Sequence, residues 1–536
     1  MISQHMREQN WSELDRPWDL VVVGGGITGA GILREAARLR LRVLLVEQHD
    51  FAWGTSSRSS KLIHGGLRYL RDGRLKLVYE SVRERDWLVQ AAPGLIDPVG
   101  FLLATYKGDL PGRRAYSAAL ALYDLLAGRW QHSFFAAPDF TLLAPYIAQM
   151  GLVGGFGYGD AQTDDARLVL RLIREALADG ATAINYVRAE GLLRSGGRVT
   201  GVQLRDCLSG QVVEVYARVV INATGAWADD LREDMARAAR VRPLRGSHLV
   251  VPTWRLPVAQ AVSFLHPSDR RPVFLVPWEG TTLIGTTDLD HDRPLDEEPR
   301  ISADEVSYLL AAVEARFPAL QLTPDDVLST YAGVRPVIAS GKKHPSRESR
   351  DHAIWDEGGL VTVTGGKLTT FRLIALDTLA VARRYLLDMP PLKRTASVLA
   401  PAPRDLPSKI PLDAVLRRRL LGRYGADALH VIDLAAPEEL EPVPGTATLW
   451  AELRWAARAE SVAHLEDLLL RRTRIGLVLP EGGLATRGPG SLAERVRAIC
   501  SEELGWDGAR WEQEESAYRQ LWRSCYSLPD IGACSA

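Results

Sequence analysis

Hydrophobic positions near the start of the chain fall into three blocks with different periods. Asp19-Leu-Val-Val-Val23 is an unbroken apolar run behind one acid, the pattern of a strand buried on both faces. Residues 30–40 carry apolar side chains at helical spacing, and Arg42-Val-Leu-Leu-Val-Glu47 is a second apolar strand that ends on an acid. Two more apolar strands, residues 217–222 and 360–364, run into small residues: Ala223-Thr-Gly-Ala226 and Gly365-Gly-Lys-Leu-Thr-Thr370. A helix over residues 371–388 is predicted after the second. Residues 271–277 and 281–287 alternate and predict an antiparallel sheet. Beyond Met389, prolines at 390, 391, 401, 403 and 407 mark a linker, and helices with arginine-rich faces follow, which sets a boundary near residue 395.

The first two strands enclose Gly24-Gly-Gly-Ile-Thr-Gly29, in which Gly24, Gly26 and Gly29 have G-x-G-x-x-G spacing. Glycines there permit a tight turn, close approach of a pyrophosphate and helix–strand contact. The helix N-terminus offers unpaired N–H groups and partial positive charge to the phosphates. Glu47 lies 18 residues past Gly29, placed to accept from ribose hydroxyls, and an acid there disfavours a 2′-phosphorylated nucleotide. Eight residues on begins Thr55-Ser-Ser-Arg-Ser-Ser-Lys-Leu-Ile-His-Gly-Gly-Leu-Arg-Tyr-Leu70, a run of hydroxyls, cations and glycines suited to phosphate oxygens and a flat ring.

At 536 residues the chain should hold two or more domains. A net charge of −1 gives no global field for nucleic acid, and 46% hydrophobic content is ordinary for a globular protein. Cys207, Cys500, Cys525 and Cys534 are scattered without metal spacing, so neither a zinc site nor a disulfide framework is expected. Met1 to Trp18 does not read as a signal peptide, and no run of 18 apolar residues occurs. The apolar helix over residues 115–127, behind Arg113 and Arg114, fits either a buried helix or one lying on a membrane surface.

The glycine loop, the Ala-Thr-Gly turn and the Gly-Gly-Lys turn together resemble FAD-dependent oxidoreductases of the D-amino-acid oxidase type. Ser59-Ser-Lys-Leu-Ile-His-Gly-Gly-Leu-Arg-Tyr69, Asp164-Asp-Ala-Arg-Leu168, Gly246-Ser-His248, Ile284-Gly-Thr-Thr-Asp288, Gly333-Val-Arg-Pro336 and Gly365-Gly-Lys-Leu-Thr-Thr370 narrow the resemblance to aerobic glycerol-3-phosphate dehydrogenases. Leu469-Leu-Arg-Arg-Thr-Arg474 resembles that family's helical cap more loosely. The resemblance implies an α+β fold: a doubly wound FAD domain interleaved with an antiparallel substrate-binding sheet, then a C-terminal helical cap. It divides the chain into an extension (1–18), an oxidoreductase domain (19–394) and the cap (395–536). Cofactor segments fall at about 19–70, 160–240 and 330–390, and substrate segments at about 71–159 and 241–329.

It further implies non-covalent FAD held by Gly24, Gly26, Ile27, Thr28, Gly29, Glu47, Thr55, Ser56, Ser57, Ser60, Lys61, Leu62, His64, Gly65, Gly66, Ala223, Thr224, Gly225, Gly333, Gly365, Gly366, Lys367, Leu368 and Thr369. The implied reaction is oxidation of sn-glycerol 3-phosphate to dihydroxyacetone phosphate, with a membrane quinone as acceptor. The expected setting is a homodimer held peripherally on the inner, cytoplasmic face of the cell membrane. A dianionic substrate needs paired cations, for which Arg68 and Arg335 are the candidates. His248 is the candidate base, with His64 as competitor. Lys367 is placed near the flavin or the substrate, and Tyr69 is either a substrate contact or core. Arg58 adds a cation facing flavin phosphate, substrate or solvent. Asp164, Asp165 and Arg167 read as a helix start, Asp288 as an ordering residue or a plain turn, and Trp278 and Phe274 as core. Alternatives are a glycerol-3-phosphate oxidase that makes hydrogen peroxide from O2, an amine or amino-acid oxidase, a flavin-stabilised interaction protein, and an NAD-dependent dehydrogenase.

Overall fold

The computed structural model describes residues 2–71, 73–233, 240–339, 351–408, 411–485, 488 and 490–529. Strands Trp18–Val23 and Val43–Val46 pair in parallel across helix Ile27–Arg38, the predicted unit with its ends shifted by up to three residues. They lie inside a sheet ordered His352–Asp356, Leu360–Gly365, Val212–Asn222, Trp18–Val23, Val43–Val46, Thr182–Ile184. Every neighbouring pair is parallel except the first, which is antiparallel. Helices Ile27–Arg38, Asp165–Ala178 and Phe371–Ala382 cover one face, and their apolar sides share one buried core with the strands. The last of these helices stops six residues short of the predicted 388, giving way to a 3-10 turn at Arg383–Tyr385.

The second sheet has ten strands and follows the order Leu289–Asp290, Val241–Pro252, Thr281–Gly285, Pro272–Trp278, Ala261–Leu265, Ile96–Tyr106, Leu152–Thr163, Leu62–Ile63. Strand Ser329–Ile338 joins at Val241–Pro252 over ten residue pairs. Pairing is antiparallel apart from Ala261–Leu265, which runs parallel to Ile96–Tyr106, a departure from the all-antiparallel expectation. The chain crosses between the sheets several times, so the cofactor and substrate halves interleave.

After residue 395 the chain is helical, and its arginines turn inward more than the amphipathic reading suggests. Leu468, Trp511, Tyr518, Trp522 and Tyr526 are buried in a core shared with Phe101, Tyr158 and Trp278 of the second sheet. The segment past Asp507, unassigned by sequence, is helix Gly508–Cys525. Its Tyr518 hydroxyl donates to Gly482 O (2.7 Å) and its Trp522 indole to Gly476 O (2.9 Å). Cys534 lies outside the described residues. At the other end, helix Ile2–Ser12 is tied down by Arg7, which donates to Asp206 at 2.9 and 3.0 Å.

Candidate active site

The three predicted strand–turn units converge on one cavity of about 2120 Å³. That is roughly twice the upper end of ordinary small-molecule sites, room for a dinucleotide and a second ligand together. The cradle is built by glycine sterics. Gly24 has φ +112°, and a Cβ on it would meet the Ala223 carbonyl oxygen at 2.6 Å. A Cβ on Gly29 would lie 1.9 Å from the Gly24 oxygen, so Gly29 serves the contact of helix with strand and does not face the cavity. Gly26 caps helix Ile27–Arg38 without any side-chain bond, which leaves amides at the helix start for an anion. Ile27 N–H donates to Ser56 Oγ at 2.9 Å.

Glu47 stands at the end of the second strand as expected. Its carboxylate accepts from Gly25 N–H (2.7 Å) and His49 N–H (2.9 Å), which aims it at the cavity. Burial raises its pKa, and those two N–H groups oppose the rise. The donor set therefore fits FAD: amides for the pyrophosphate, Glu47 for the ribose, and a long pocket floor from Thr55 to Thr369 for the ring.

All predicted cofactor residues line this cavity except Gly29, Ser57, Lys61 and Gly65. Lys61 is the sharpest departure. It is fully buried, its ammonium bonds Asp165 (2.8 and 3.0 Å) and the Ser57 carbonyl (2.6 Å), and it lies beneath the loop rather than on it. Desolvation, then the nearby Arg474, lower its pKa to about 8 against the pull of Asp165. Its φ of +59° costs a non-glycine residue about 1 kcal/mol, and the ion pair holds that backbone in place. Ser57 serves through its carbonyl, which also accepts from Arg474 at 3.2 Å. Gly65 makes room: a Cβ there would meet the Tyr123 hydroxyl at 2.2 Å.

The cavity wall around Arg335 lies on three adjacent strands. In register, His248 sits between Gly285 and Tyr331, and Gly246 opposite Gly333. Gly246 and Gly285 form a flat bed, because a Cβ on either would strike Arg335 (2.3 Å) or His248 (2.2 Å). Arg335 lines the cavity, donating to Asp288 (3.2 Å) and Thr286 (2.9 Å). Asp288 also pairs with Arg271 at 3.1 Å, so it orders two cations, a role beyond a plain turn. Lys367 lines the cavity too, donating to Ser81 Oγ (3.0 Å) with its ammonium 4.0 Å over the Tyr69 ring. Arg68 belongs to helix Arg68–Arg71, but its side chain lies outside the described residues.

His248 is buried, stacked on Tyr331 at 4.6 Å, and does not reach the cavity wall. Burial, Arg335 and Lys61 all hold its pKa well below the ordinary imidazole value. Ser60, which does line the cavity, is hydrogen-bonded to its Nε2 at 2.8 Å. His64 lines the cavity, with its backbone N–H bonded to Thr369 Oγ1 and its carbonyl accepting from the same hydroxyl, both at 3.2 Å. Phe274 reaches the cavity wall, contrary to the core reading, whereas Trp278 is core.

Sequence reasoning missed the charges under the floor. Asp164 caps helix Asp165–Ala178 and pairs with Arg423 (2.8 Å) and Arg474 (3.0 Å). Arg474 also pairs with Asp165. Arg58 is buried over Trp53, paired with Glu298 and bonded to Tyr526, so it ties the flavin loop to the C-terminal segment. The Leu469-Leu-Arg-Arg-Thr-Arg474 motif was the available signal, since three arginines in an apolar helix need buried partners.

The FAD-dependent oxidoreductase family matches residues 19–374, and the C-terminal domain of alpha-glycerophosphate oxidase matches residues 395–511. Aerobic glycerol-3-phosphate dehydrogenase of Staphylococcus aureus is 34% identical over 482 residues, 85% of this chain and 86% of that protein. The crystal structure of glycerol-3-phosphate dehydrogenase from Bacillus halodurans complexed with FAD superposes with a TM-score of 0.77 at 29% identity, covering both chains fully. Glycine oxidase from Geobacillus kaustophilus shares the fold at TM-score 0.53 and 20% identity, over 71% of this chain and 97% of that one. The chain belongs to the FAD-dependent oxidoreductases, in the glycerol-3-phosphate dehydrogenase-like branch that carries the alpha-glycerophosphate oxidase C-terminal domain.

Proposed function

We propose that this enzyme oxidises sn-glycerol 3-phosphate at C2 to dihydroxyacetone phosphate and passes the electrons to a membrane quinone. The observation that carries the substrate reading is that three cations, Arg335, Arg271 and Lys367, line the cavity, with Asp288 ordering the first two. A carboxylate substrate needs one such cation, whereas a phosphate dianion with two hydroxyls uses several. FAD, held by the three turns, supplies the hydride acceptor. Arg335 binds and orients the phosphate, Lys367 faces the ring-side end, and Arg68 is a further candidate for the phosphate. His248 receives the proton of the C2 hydroxyl.

The acceptor reading rests on the excursion between Tyr106 and Leu152. Helix Arg113–Ala127 buries Leu120, Tyr123 and Asp124, while Ala115, Ala118, Ala119 and Leu122 line the cavity. Leu110, Leu125, Trp130, Leu142 and Met150 are exposed around it, beside exposed Lys107, Arg113 and Arg114. Apolar side chains rimmed by cations suit an interfacial helix on anionic lipid. Among the described residues no helix is long and apolar enough to cross a membrane. The proposed attachment is peripheral, through this helix, on the cytoplasmic face. A quinone could then enter along this helix.

Anaerobic addition of sn-glycerol 3-phosphate to the FAD-loaded enzyme tests the substrate. Loss of flavin absorbance near ~450 nm with this substrate, but not with glycerol, glycine or sarcosine, is the expected result. A flavin that stays oxidised would overturn it. Reoxidation by quinone-loaded anionic vesicles, faster than by air, is expected for the acceptor.

A further inference from the structure

His248 is set back from the chamber in which substrate would bind. Its ring is buried, with Tyr331 on one face and the Gly285 backbone on the other. Its Nδ1 has no hydrogen-bond partner among the described residues, and its Nε2 is occupied by Ser60 Oγ at 2.8 Å. Ser60 lies on the cavity wall with Arg335 and Thr286. The loop that presents it is fastened on both sides. Ser59 donates to Asp165 through its hydroxyl (2.6 Å) and its N–H (2.9 Å), and the Tyr331 hydroxyl donates to the Ser59 carbonyl (2.9 Å). Lys61, on the other side, is locked to Asp165. A serine held this firmly between a buried imidazole and the substrate chamber has one evident chemical use.

We propose that Ser60 is a catalytic residue that relays the proton of the substrate C2 hydroxyl to His248. The proposal rests on the substrate reading above. In the step, the C2–H bond breaks and its hydrogen leaves with the electron pair to the flavin, the two-electron oxidant. The substrate O–H bond breaks as its proton forms a bond to Ser60 Oγ, and the former Ser60 proton forms a bond to His248 Nε2. The C2–O bond becomes a carbonyl, and dihydroxyacetone phosphate leaves. Imidazolium then returns its proton to solvent by the same path.

Burial, Arg335 and Lys61 oppose protonation of His248, and Tyr331, stacked on it, is held neutral by its own burial. Arg335 is paired with Asp288 and Lys61 with Asp165. A phosphate dianion against Arg335 adds the missing negative charge on the cavity side.

The test follows flavin absorbance in FAD-loaded enzyme mixed anaerobically with sn-glycerol 3-phosphate. Ser60→Ala is expected to lower the limiting reduction rate by about 100-fold while flavin remains bound, and to remove the bend that His248 gives the pH profile. Ser60→Thr keeps a hydroxyl and is expected to stay within about tenfold of wild type. A Ser60→Ala rate within about threefold of wild type, with the same pH profile, would overturn the relay. Should that variant lose flavin, wild-type enzyme in mixed H2O and D2O decides. Two protons in flight give a bowed dependence on deuterium fraction, and a straight line excludes the relay. Wild-type enzyme that this substrate does not reduce at all would sink the substrate assignment first, and the relay with it.

Discussion

The glycine cradle and the charged floor that anchors the Ser57 to Lys61 loop are built by different means. The cradle is backbone: glycines that admit neighbouring carbonyls, helix-start amides, and one acid aimed by two N–H groups. The floor is charge: Lys61, Asp164, Asp165, Arg423 and Arg474 interlocked out of water. A steric cradle fails when a side chain is added at Gly24 or Gly29, but its glycines need no charged partner. A charged floor depends on residues hundreds of positions apart, such as Asp165 with Arg474, as does the second buried charge cluster of Asp50 with Arg472, and each holds only while every charge is matched.

Adding a single methyl group should break the steric half completely. Gly29→Ala would place its Cβ 1.9 Å from a backbone oxygen that no side-chain rotation can move. The variant is expected to purify without flavin, or not to accumulate as folded protein. The flavin-to-protein absorbance ratio reads this directly, and a normal ratio would show that the turn can shift.

For the charged half, Asp50 is the sharpest probe. Its carboxylate takes Arg471 Nε (2.6 Å) and two nitrogens of Arg472 (2.6 and 2.7 Å), with Asn185 donating at 3.1 Å. Burial alone would raise its pKa, but the two guanidinium groups more than reverse this and hold it at about 2. Asp50→Ala takes the carboxylate from buried Arg472 and leaves Arg471 to Asp467 and Glu466, and should cost about 3–5 kcal/mol in unfolding free energy. Denaturant midpoints measure it, and a loss under about 1 kcal/mol would mean that water reaches the cluster.

Where the halves meet, Arg335→Ala should lower kcat/KM for sn-glycerol 3-phosphate by at least about tenfold, since a charge-assisted bond is worth roughly 1.5–3 kcal/mol. Flavin content should not change. Near-normal kinetics would remove Arg335 from the phosphate site.

The two halves were also unequally legible in the sequence. Strand, turn and second strand are local, so Gly24 to Glu47 can be read along the chain as a dinucleotide turn, and Ala223 to Gly225 and Gly365 to Thr369 as small-residue turns after a strand. Lys61 was misplaced because a lysine in a hydroxyl-rich loop looks like a ligand. Its partner, Asp165, lies 104 residues away, and no pattern in the loop announces it. Arg58 was open for the same reason, its acid Glu298 being 240 residues on. Ser60 was expected to hold the cofactor, but its contact with His248, 188 residues distant, appears only once the second sheet has folded.

The contrast is not absolute, because one titrating ring lies in the adenosine end of the cradle. His49 lines the cavity and stacks on Trp53 with centroids 4.0 Å apart. Burial lowers its pKa to about 4, and Asp296 and Glu298 only partly oppose this. The unfolded chain therefore binds a proton at this ring near pH 6.5, whereas the native protein does so only near 4. Its neutral ring contributes fully above pH 6.5, and stability is lost as pH falls from there towards 4. The slope is at most about 1.4 kcal/mol per pH unit, so a fall from 6.5 to 5.5 costs about 1 kcal/mol or less. His464 works in the opposite direction, since its pKa is raised above the usual value in spite of burial, through Glu514. Only the difference between wild type and a His49→Phe variant isolates His49. Phe keeps a ring against Trp53 without a proton to gain, so the difference in stability should shift by about 1 kcal/mol across that interval. Two parallel curves would show that His49 titrates in the native protein as it does in the unfolded chain, and that its burial adds no pH dependence to stability.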